Sequence, residues 1–375
     1  MTSDAQQTGR TGPDDLAATL SVANTDVHAL VHTVSDNADA IFTWDYEKGA
    51  RPALNKLYEK AKTSQWNGQT DLPWDTDVDQ EAVVLNNAMT NMGGITGGID
   101  EAALADTPFA TFGPKEWIQL GIENQNWTLS QFMHGEQGAL ICTAKIVETV
   151  PWIDAKYYAS TQVMDEARHV EVFAKYLDEK LSGHYPINAH LRMLLDDIVR
   201  DSRWDMTYLG MQIMVEGLAL AAFGFMQQLS TEPLLKQLIR YVMADEARHV
   251  AFGVLSLKEY YAELSDAEMR ERQEFAYEAA VRMRDRFLQQ EVWDRMGLRV
   301  DEVLPLIMAS PQRAGFQQLL FSKIVPNCKK LGLLDANGGW LRSRFEELGV
   351  IQFEHTPDTG DEYSMFQLAA SDTAS

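Results

Sequence analysis

Residues 165–170 read Asp165-Glu166-Ala167-Arg168-His169-Val170, and residues 245–250 repeat them as Asp245-Glu246-Ala247-Arg248-His249-Val250. The copies are identical and lie 80 positions apart. Thirty residues before each motif glutamate stands another glutamate in an apolar run, Glu136 in HGEQGAL and Glu216 in VEGLAL. Residues three apart on an α-helix share a face, so each Glu-x-x-His projects a carboxylate and an imidazole in one direction. From Glu136 a helix climbs to a break near Val150-Pro151, and a second helix descends to Glu166. From Glu216 the chain climbs to Ser230-Thr231-Glu232-Pro233 and descends to Glu246 in the same way. At about 1.5 Å per residue, each antiparallel hairpin returns its second acidic group to the level of the first. Two such hairpins packed face to face gather Glu136, Glu166, His169, Glu216, Glu246 and His249 inside a four-helix bundle. One Glu from each of two helices, with Glu-x-x-His from each of the other two, is a set that holds two metal ions.

A single Glu-x-x-His usually lies on a solvated helix face. Two identical copies at a fixed offset from two further buried-type glutamates do not fit that reading. Glu216 stands in MVEGLALAAFGF, where an unpaired charge would be costly to bury, and a bound cation accounts for it. The other motif residues suit a supporting layer. A metal-bound histidine needs an acceptor for its second ring N–H, and Asp165 and Asp245 are placed to serve, each for the histidine of the opposite hairpin. Arg168 and Arg248 would hold those aspartates by charge-assisted hydrogen bonds.

Composition narrows the class. The 375 residues carry a formal net charge of -23 with an isoelectric point near 4.7, which argues against nucleic acid or an anionic membrane as partner. Cys142 and Cys328 are the two cysteines, so there is no disulfide framework or cysteine metal knuckle, and a cytoplasmic setting is expected. The polar N-terminus lacks the apolar core of a signal peptide. The most apolar run, 213–226, is short for a membrane span and contains Glu216, so a soluble protein is expected.

The chain divides into five stretches on this reading. Residues 1–14 are expected to be disordered, and 15–113 to form a helical and loop extension. The bundle occupies 114–264, a C-terminal helical extension 265–355, and an acidic mobile tail 356–375. Within the extension, 16–42 is weakly helical and 52–63 clearly amphipathic; 65–79, rich in Trp and Asp, reads as an ordered arm against the core. The glycine-rich stretch 92–113 reads as loop. The bundle helices are expected at 114–148, 152–182, 187–229 with a bend near Ser202, and 232–264. A capping box of Ser265 and Glu268 predicts a helix over 266–296, and another is expected at 311–331. No strand run is found.

The paired motifs with upstream Glu136 and Glu216 resemble the ferritin-like non-haem di-iron carboxylate oxygenases. Closest in pattern are the bacterial multicomponent monooxygenase hydroxylase subunits and the di-iron N-oxygenases. The resemblance covers about residues 115–260. It implies an all-α, ferritin-like four-helix bundle with additional N- and C-terminal helices. It also implies that Glu136, Glu166, His169, Glu216, Glu246 and His249 ligate two iron ions, or a manganese and an iron, and are the catalytic centre that reacts with dioxygen. Three departures stand out. The hydroxylases usually place a threonine one turn after the third glutamate, and Leu220 stands there. The arylamine N-oxygenases add a histidine four residues before a Glu-x-x-His glutamate, where this chain has Gln162 and Val242. Radical-generating ribonucleotide reductase subunits often carry a tyrosine four residues after the first motif histidine, where this chain has Phe173. His134, two residues from Glu136, points to another face and reads as structural or solvated.

Residues one turn from the ligands are candidates for a substrate pocket: Phe132, Met133, Leu140, Phe173, Gln212, Ile213, Leu220 and Phe223. An apolar wall suits an organic substrate and keeps water from a reactive centre. The leading expectation is an oxygenase that hydroxylates or N-oxygenates a small organic molecule. The alternatives are a ribonucleotide reductase small-subunit-like protein or ligand-binding oxidase, and a ferritin-type ferroxidase; a non-enzymatic metal-stabilised bundle ranks last. Extra chain on both sides of the bundle suits substrate recognition better than storage. No flavin or nicotinamide fingerprint is present, so an external electron donor, a reductase or ferredoxin, is expected, as is a homodimer.

Overall fold

A computed structural model describes residues 4–91 and 104–359. Among the described residues the chain is helical, with no strand. Fifteen α-helices are described, and four long helical spans, one of them composite, form the bundle. Helix α5 (Pro114–Thr149) starts where Pro114 takes the first helical position, and the Gly113 N–H donates to Glu116 at 2.9 Å. It stops at Val150, and after Pro151 helix α6 (Ile153–Lys180) returns antiparallel to it. The third bundle helix runs continuously over Trp204–Leu229, as α8 (Trp204–Tyr208), a π-helical segment Leu209–Val215 and α9 (Glu216–Leu229). Helix α10 (Pro233–Tyr261) completes the second hairpin. Glu232 caps it by accepting from the Leu234 and Leu235 N–H groups, and Tyr176 donates to Glu232 across the hairpins at 2.8 Å.

The third helix is also the one described helix long and apolar enough to cross a membrane, yet most of its apolar stretch is packed inside the protein. Its neighbour α7 (Ala189–Arg200) was expected to be continuous with it. Instead the chain breaks at 201–203, where Asp201 accepts from the Arg203 backbone N–H at 2.9 Å and ion-pairs its guanidinium. Local side-chain acceptance of this kind competes with the helical hydrogen bond.

Around the bundle the structure departs from expectation in several places. Residues 4–14 are ordered, not disordered: Asp4 lies in a short helix α1 (Asp4–Thr8), and Arg10 reaches Asp285 at 2.6 Å. The weak helix over 16–42 shrinks to α2 (Leu16–Ser21), after which 22–46 has no regular structure. That segment mixes β-branched residues with Asn, Asp and Ser, which favour local side-chain bonds over helix. It is tied along α7 by Asn24 to Ile187, His32 to Asp196 and Asn37 to Arg200. Helix α3 (Pro52–Thr63) matches the amphipathic 52–63. Helix α4 (Gln80–Asn91) was not anticipated, and 92–103 lies outside the described residues. The helix expected over 266–296 is two: α11 (Asp266–Arg286), with its capping box in place, and α12 (Gln290–Arg295), separated at Gln289 with φ of 55°. Helices α13 (Val300–Met308), α14 (Pro311–Lys330) and α15 (Ala336–Glu347) follow. Residues 356–359 belong to the fold rather than to a mobile tail, since the buried Thr359 donates its N–H to Asn327 at 3.0 Å; 360–375 lies outside the described residues.

Candidate metal centre

Each hairpin delivers its acidic groups to the middle of the bundle, as helical spacing requires. Glu136 comes from α5, Glu166 and His169 from α6, Glu216 from the first turn of α9, and Glu246 and His249 from α10. All six are buried. His169 Nδ1 lies 3.2 Å from Glu136, 3.5 Å from Glu166 and 3.1 Å from Glu246. His249 Nδ1 lies 3.0 Å from Glu166 and 3.5 Å from Glu246. Glu166 and Glu246 therefore stand between the two imidazoles, while Glu136 and Glu216 flank opposite ends. Two overlapping groups could each hold a metal ion: Glu136, Glu166, His169 and Glu246, and Glu166, Glu216 and His249.

The supporting layer crosses between hairpins. His169 Nε2 is 3.2 Å from Asp245, and His249 Nε2 is 3.4 Å from Asp165. Arg168 pairs with Asp165 and, at 3.1 Å, with Asp245; Arg248 pairs with Asp245 and, at 3.4 Å, with Asp165. The arm at 65–79 closes this layer from outside. Trp66 donates its indole N–H to Asp245 at 2.8 Å, and Gln65 donates to Asp165 at 3.2 Å. The Arg168 guanidinium lies over the Trp66 ring, 4.7 Å from its centroid. Neither Gln65 nor Trp66 was among the sequence candidates; the clustering of Trp and Asp was the one signal that the arm packs on something. Gln162 donates to both Glu166 and Glu216 at 2.9 Å and so ties two of the clustered glutamates together. His134 sits half-buried, 2.9 Å from the Tyr185 carbonyl, away from the cluster.

The donor set fits a pair of divalent cations on two counts. One oxygen each of Glu166 and Glu216, both oxygens of Glu246, and His249 Nδ1 are buried with no hydrogen-bond partner. Asp165 and Asp245 are balanced by Arg168 and Arg248, which leaves four glutamate charges with neutral histidines, and two divalent ions neutralise them. Without such ions the cluster has to hold protons. Burial and the charge of Glu246 push the Glu136 carboxyl up to about 8, and burial with the charges of Glu166 and Glu246 pushes Glu216 well above its usual range. For both imidazoles burial alone favours the neutral form. Hydrogen bonds to Asp245 and Glu136 at His169, and the charges of Glu166 and Glu246 at His249, outweigh it and raise them well above the ordinary histidine value.

A narrow cleft meets the cluster at Glu136, Glu216 and Glu246. Its apolar wall is Phe132, Ala139, Val215 and Ala219, and Gln131, Gly135 and Arg286 complete it. Of the expected pocket residues Phe132 is on this wall. Phe223 and Phe173 pack behind it, 4.5 and 6.2 Å from the Phe132 ring. Gln212, Ile213 and Leu220 are buried in the third bundle helix, and Met133 and Leu140 are half-buried on α5; none of them lines the cavity. The cavity lies on the flank of Glu216 that carries residues 215 and 219, and spacing alone does not choose between the two flanks. Arg286 escaped notice because it comes from α11, outside the bundle.

A four-helix bundle enclosing two carboxylate–histidine groups defines a ferritin-like di-metal carboxylate protein. Residues 145–332, half of the chain, match the family model described as P-aminobenzoate N-oxygenase AurF, and the chain belongs to that family. The matched span contains Glu166, His169, Glu216, Glu246, His249 and Arg286; Glu136 lies before it. Among solved structures, the chain is similar to a variant of an R2-like ligand-binding oxidase with an anaerobically reconstituted Mn/Fe cofactor. The identity is 19%, the match covers 76% of this chain and 94% of that one, and the TM-score is 0.47. A variant of the same oxidase with an aerobically reconstituted Mn/Fe cofactor is 16% identical over 82% of this chain and 94% of that one, with a TM-score of 0.43. No curated protein matches the sequence. The family makes this chain a di-iron oxidoreductase of the oxygenase type, acting on a small molecule with dioxygen as co-substrate.

Proposed function

We propose that Glu136, Glu166, His169, Glu216, Glu246 and His249 hold two iron ions and that the chain N-oxygenates a primary aromatic amine in the adjoining cavity. One observation carries the placement: the cavity reaches the cluster from its glutamate side, at Glu136, Glu216 and Glu246, while both histidines are packed behind. Family membership supports nitrogen as the atom oxidised. The iron pair, when bound, supplies the reduction of dioxygen. The chain's own residues do the rest. Glu166 and Glu246 hold the two sites at a fixed separation, and Gln162 fixes the orientation of Glu166 and Glu216 by donating to both. Asp245 and Asp165 orient His169 and His249. Phe132, Ala139, Val215 and Ala219 face the cluster with an apolar wall that excludes water and would have to part slightly to admit an aromatic ring.

The first oxidation balances as an amine, dioxygen, two electrons and two protons giving a hydroxylamine and water. The electrons are assigned to an external reductase or ferredoxin, as the sequence carries no flavin or nicotinamide fingerprint. A cytoplasmic homodimer is the assembly this reading carries forward. The test is to load the protein with Fe(II), supply a chemical reductant and 4-aminobenzoate under labelled dioxygen, and analyse the product by mass spectrometry. One labelled oxygen on nitrogen is expected. Label on ring carbon, or none in the organic product, would overturn the reading.

A further inference from the structure

Arg286 is 3% exposed and forms part of the cavity wall that also carries Glu136, Glu216 and Glu246. It makes no side-chain hydrogen bond or ion pair among the described residues, and its Nε is buried without a partner. That is unusual on its own helix. Arg272 of α11 pairs with Asp205 at 2.9 Å, Arg282 with Asp197 at 2.6 Å and Asp4 at 3.2 Å, and Arg284 with Asp14 at 3.0 Å and Asp285 at 2.7 Å. The cavity offers no alternative partner, because Gln131 donates to the Pro186 carbonyl and accepts from the Asn188 N–H, and the glutamates belong to the metal cluster. Burial lowers the guanidinium to about 9 with no carboxylate to raise it again, so it stays charged at neutral pH. A buried, unpaired cation is costly, and such a group persists where something else completes it.

We infer that Arg286 is the specificity-determining residue of the cavity, receiving a carboxylate or similar planar anionic group of the substrate and so turning the opposite end toward the metal cluster. The guanidinium is prepared for this: its carbon lies over the Phe287 ring, 4.6 Å from the centroid, a cation–π contact that uses none of the N–H donors. A planar fork of donors suits a planar carboxylate in two-point contact. This inference rests on the reading of the cavity as the substrate site, but not on the atom oxidised.

The experiment compares carboxylates with their neutral amides: 4-aminobenzoate against 4-aminobenzamide, and benzoate against benzamide. Binding to the Fe(II)-loaded protein is measured by calorimetry under nitrogen. The wild-type chain is expected to favour each carboxylate by about ten- to a hundredfold, the range of a charged hydrogen-bonded contact. Arg286→Gln is expected to lose that preference while keeping its iron content and its affinity for the amides. No preference in the wild-type chain, or an undiminished one in Arg286→Gln, would overturn the inference. A wild-type preference for benzoate without any oxidation of 4-aminobenzoate would leave Arg286 in its role and sink arylamine N-oxygenation instead. A second measurement needs no ligand. Removing an unpaired buried charge in Arg286→Met is expected to hold or raise the thermal midpoint, whereas a midpoint lowered by many degrees, or failure to fold, would show a structural partner and overturn the assignment.

Discussion

Asp165 and Asp245 sit next to the clustered glutamates in sequence and yet point the other way, each behind the histidine of the opposite hairpin. They are not equivalent. Asp245 also accepts from the buried Trp66 indole, whereas Asp165 has the amide of Gln65 in the corresponding place. Asp245→Asn keeps the volume but removes the charge that holds Arg168 and Arg248 and weakens the acceptor behind His169. Fe(II) affinity at the His169 site is expected to fall by about ten- to a hundredfold, with the His249 site less affected. Titration against a competing chelator, giving two resolved binding steps, measures this; two unchanged steps would reject the orienting role. At this scale the sequence was most informative where spacing is local. Glu-x-x-His on one helix face and a 30-residue return to the same level name all six cluster residues. Trp66 and Arg286 were illegible because they reach the cluster from other elements, Trp66 across 179 positions to Asp245.

The bundle helices approach closely where glycine permits it. A Cβ at Gly253 of α10 would lie 2.6 Å from the Cβ of Gln212, and one at Gly217 would meet nothing nearer than 3.7 Å. Gln212 lies in the π segment, and its contacting atom is bound directly to backbone, so it has no freedom to move aside. Gly253→Ala is expected to cost about 1–3 kcal/mol, as overpacking of a filled core does. Gly217→Ala is expected to be neutral or to stabilise by up to about 1 kcal/mol through helix propensity. Urea unfolding of the two variants separates the cases; equal midpoints would mean that α10 and the π segment are less closely packed than they stand here. The ends of α5, α6 and α10 were readable from Gly113-Pro114, Val150-Pro151 and the Glu232-Pro233 start, because capping chemistry is local. The π segment, which packs against α10 and α11, was not, since no residue type marks it. The break at 201–203 in the helix expected over 187–229 has a local cause instead, Asp201 accepting from the Arg203 N–H.

On the scale of the molecule, residues 4–19 and the end of α11 form one ionic assembly that no local pattern in the chain foretells. Arg10 reaches Asp285 at 2.6 Å, Asp4 takes Arg282, Asp14 takes Arg284, and the Thr19 hydroxyl donates to Asp285 at 3.2 Å. These contacts join residues some 270 positions apart, so composition near the N-terminus, polar and poor in apolar residues, suggested disorder. Buried ion pairs of this kind add little net stability when whole, but removing one side strands the other. A variant lacking residues 1–15 leaves Arg282 with Asp197, leaves Arg284 with Asp285 alone and Asp285 with Arg284 and the Thr19 hydroxyl, and exposes the last turns of α11. We expect a loss of roughly 3–5 kcal/mol in urea unfolding, the cost of orphaning buried charges. Two irons per chain should still bind, because no cluster residue touches the arm. The consequence for function follows from position: Arg286 closes α11 one residue after Asp285, so a loosened terminal turn should weaken the carboxylate-over-amide preference without altering iron stoichiometry. An unchanged unfolding midpoint would show that the arm merely lies on the surface. A lowered midpoint with full anion preference would show that α11 holds Arg286 in place without the arm.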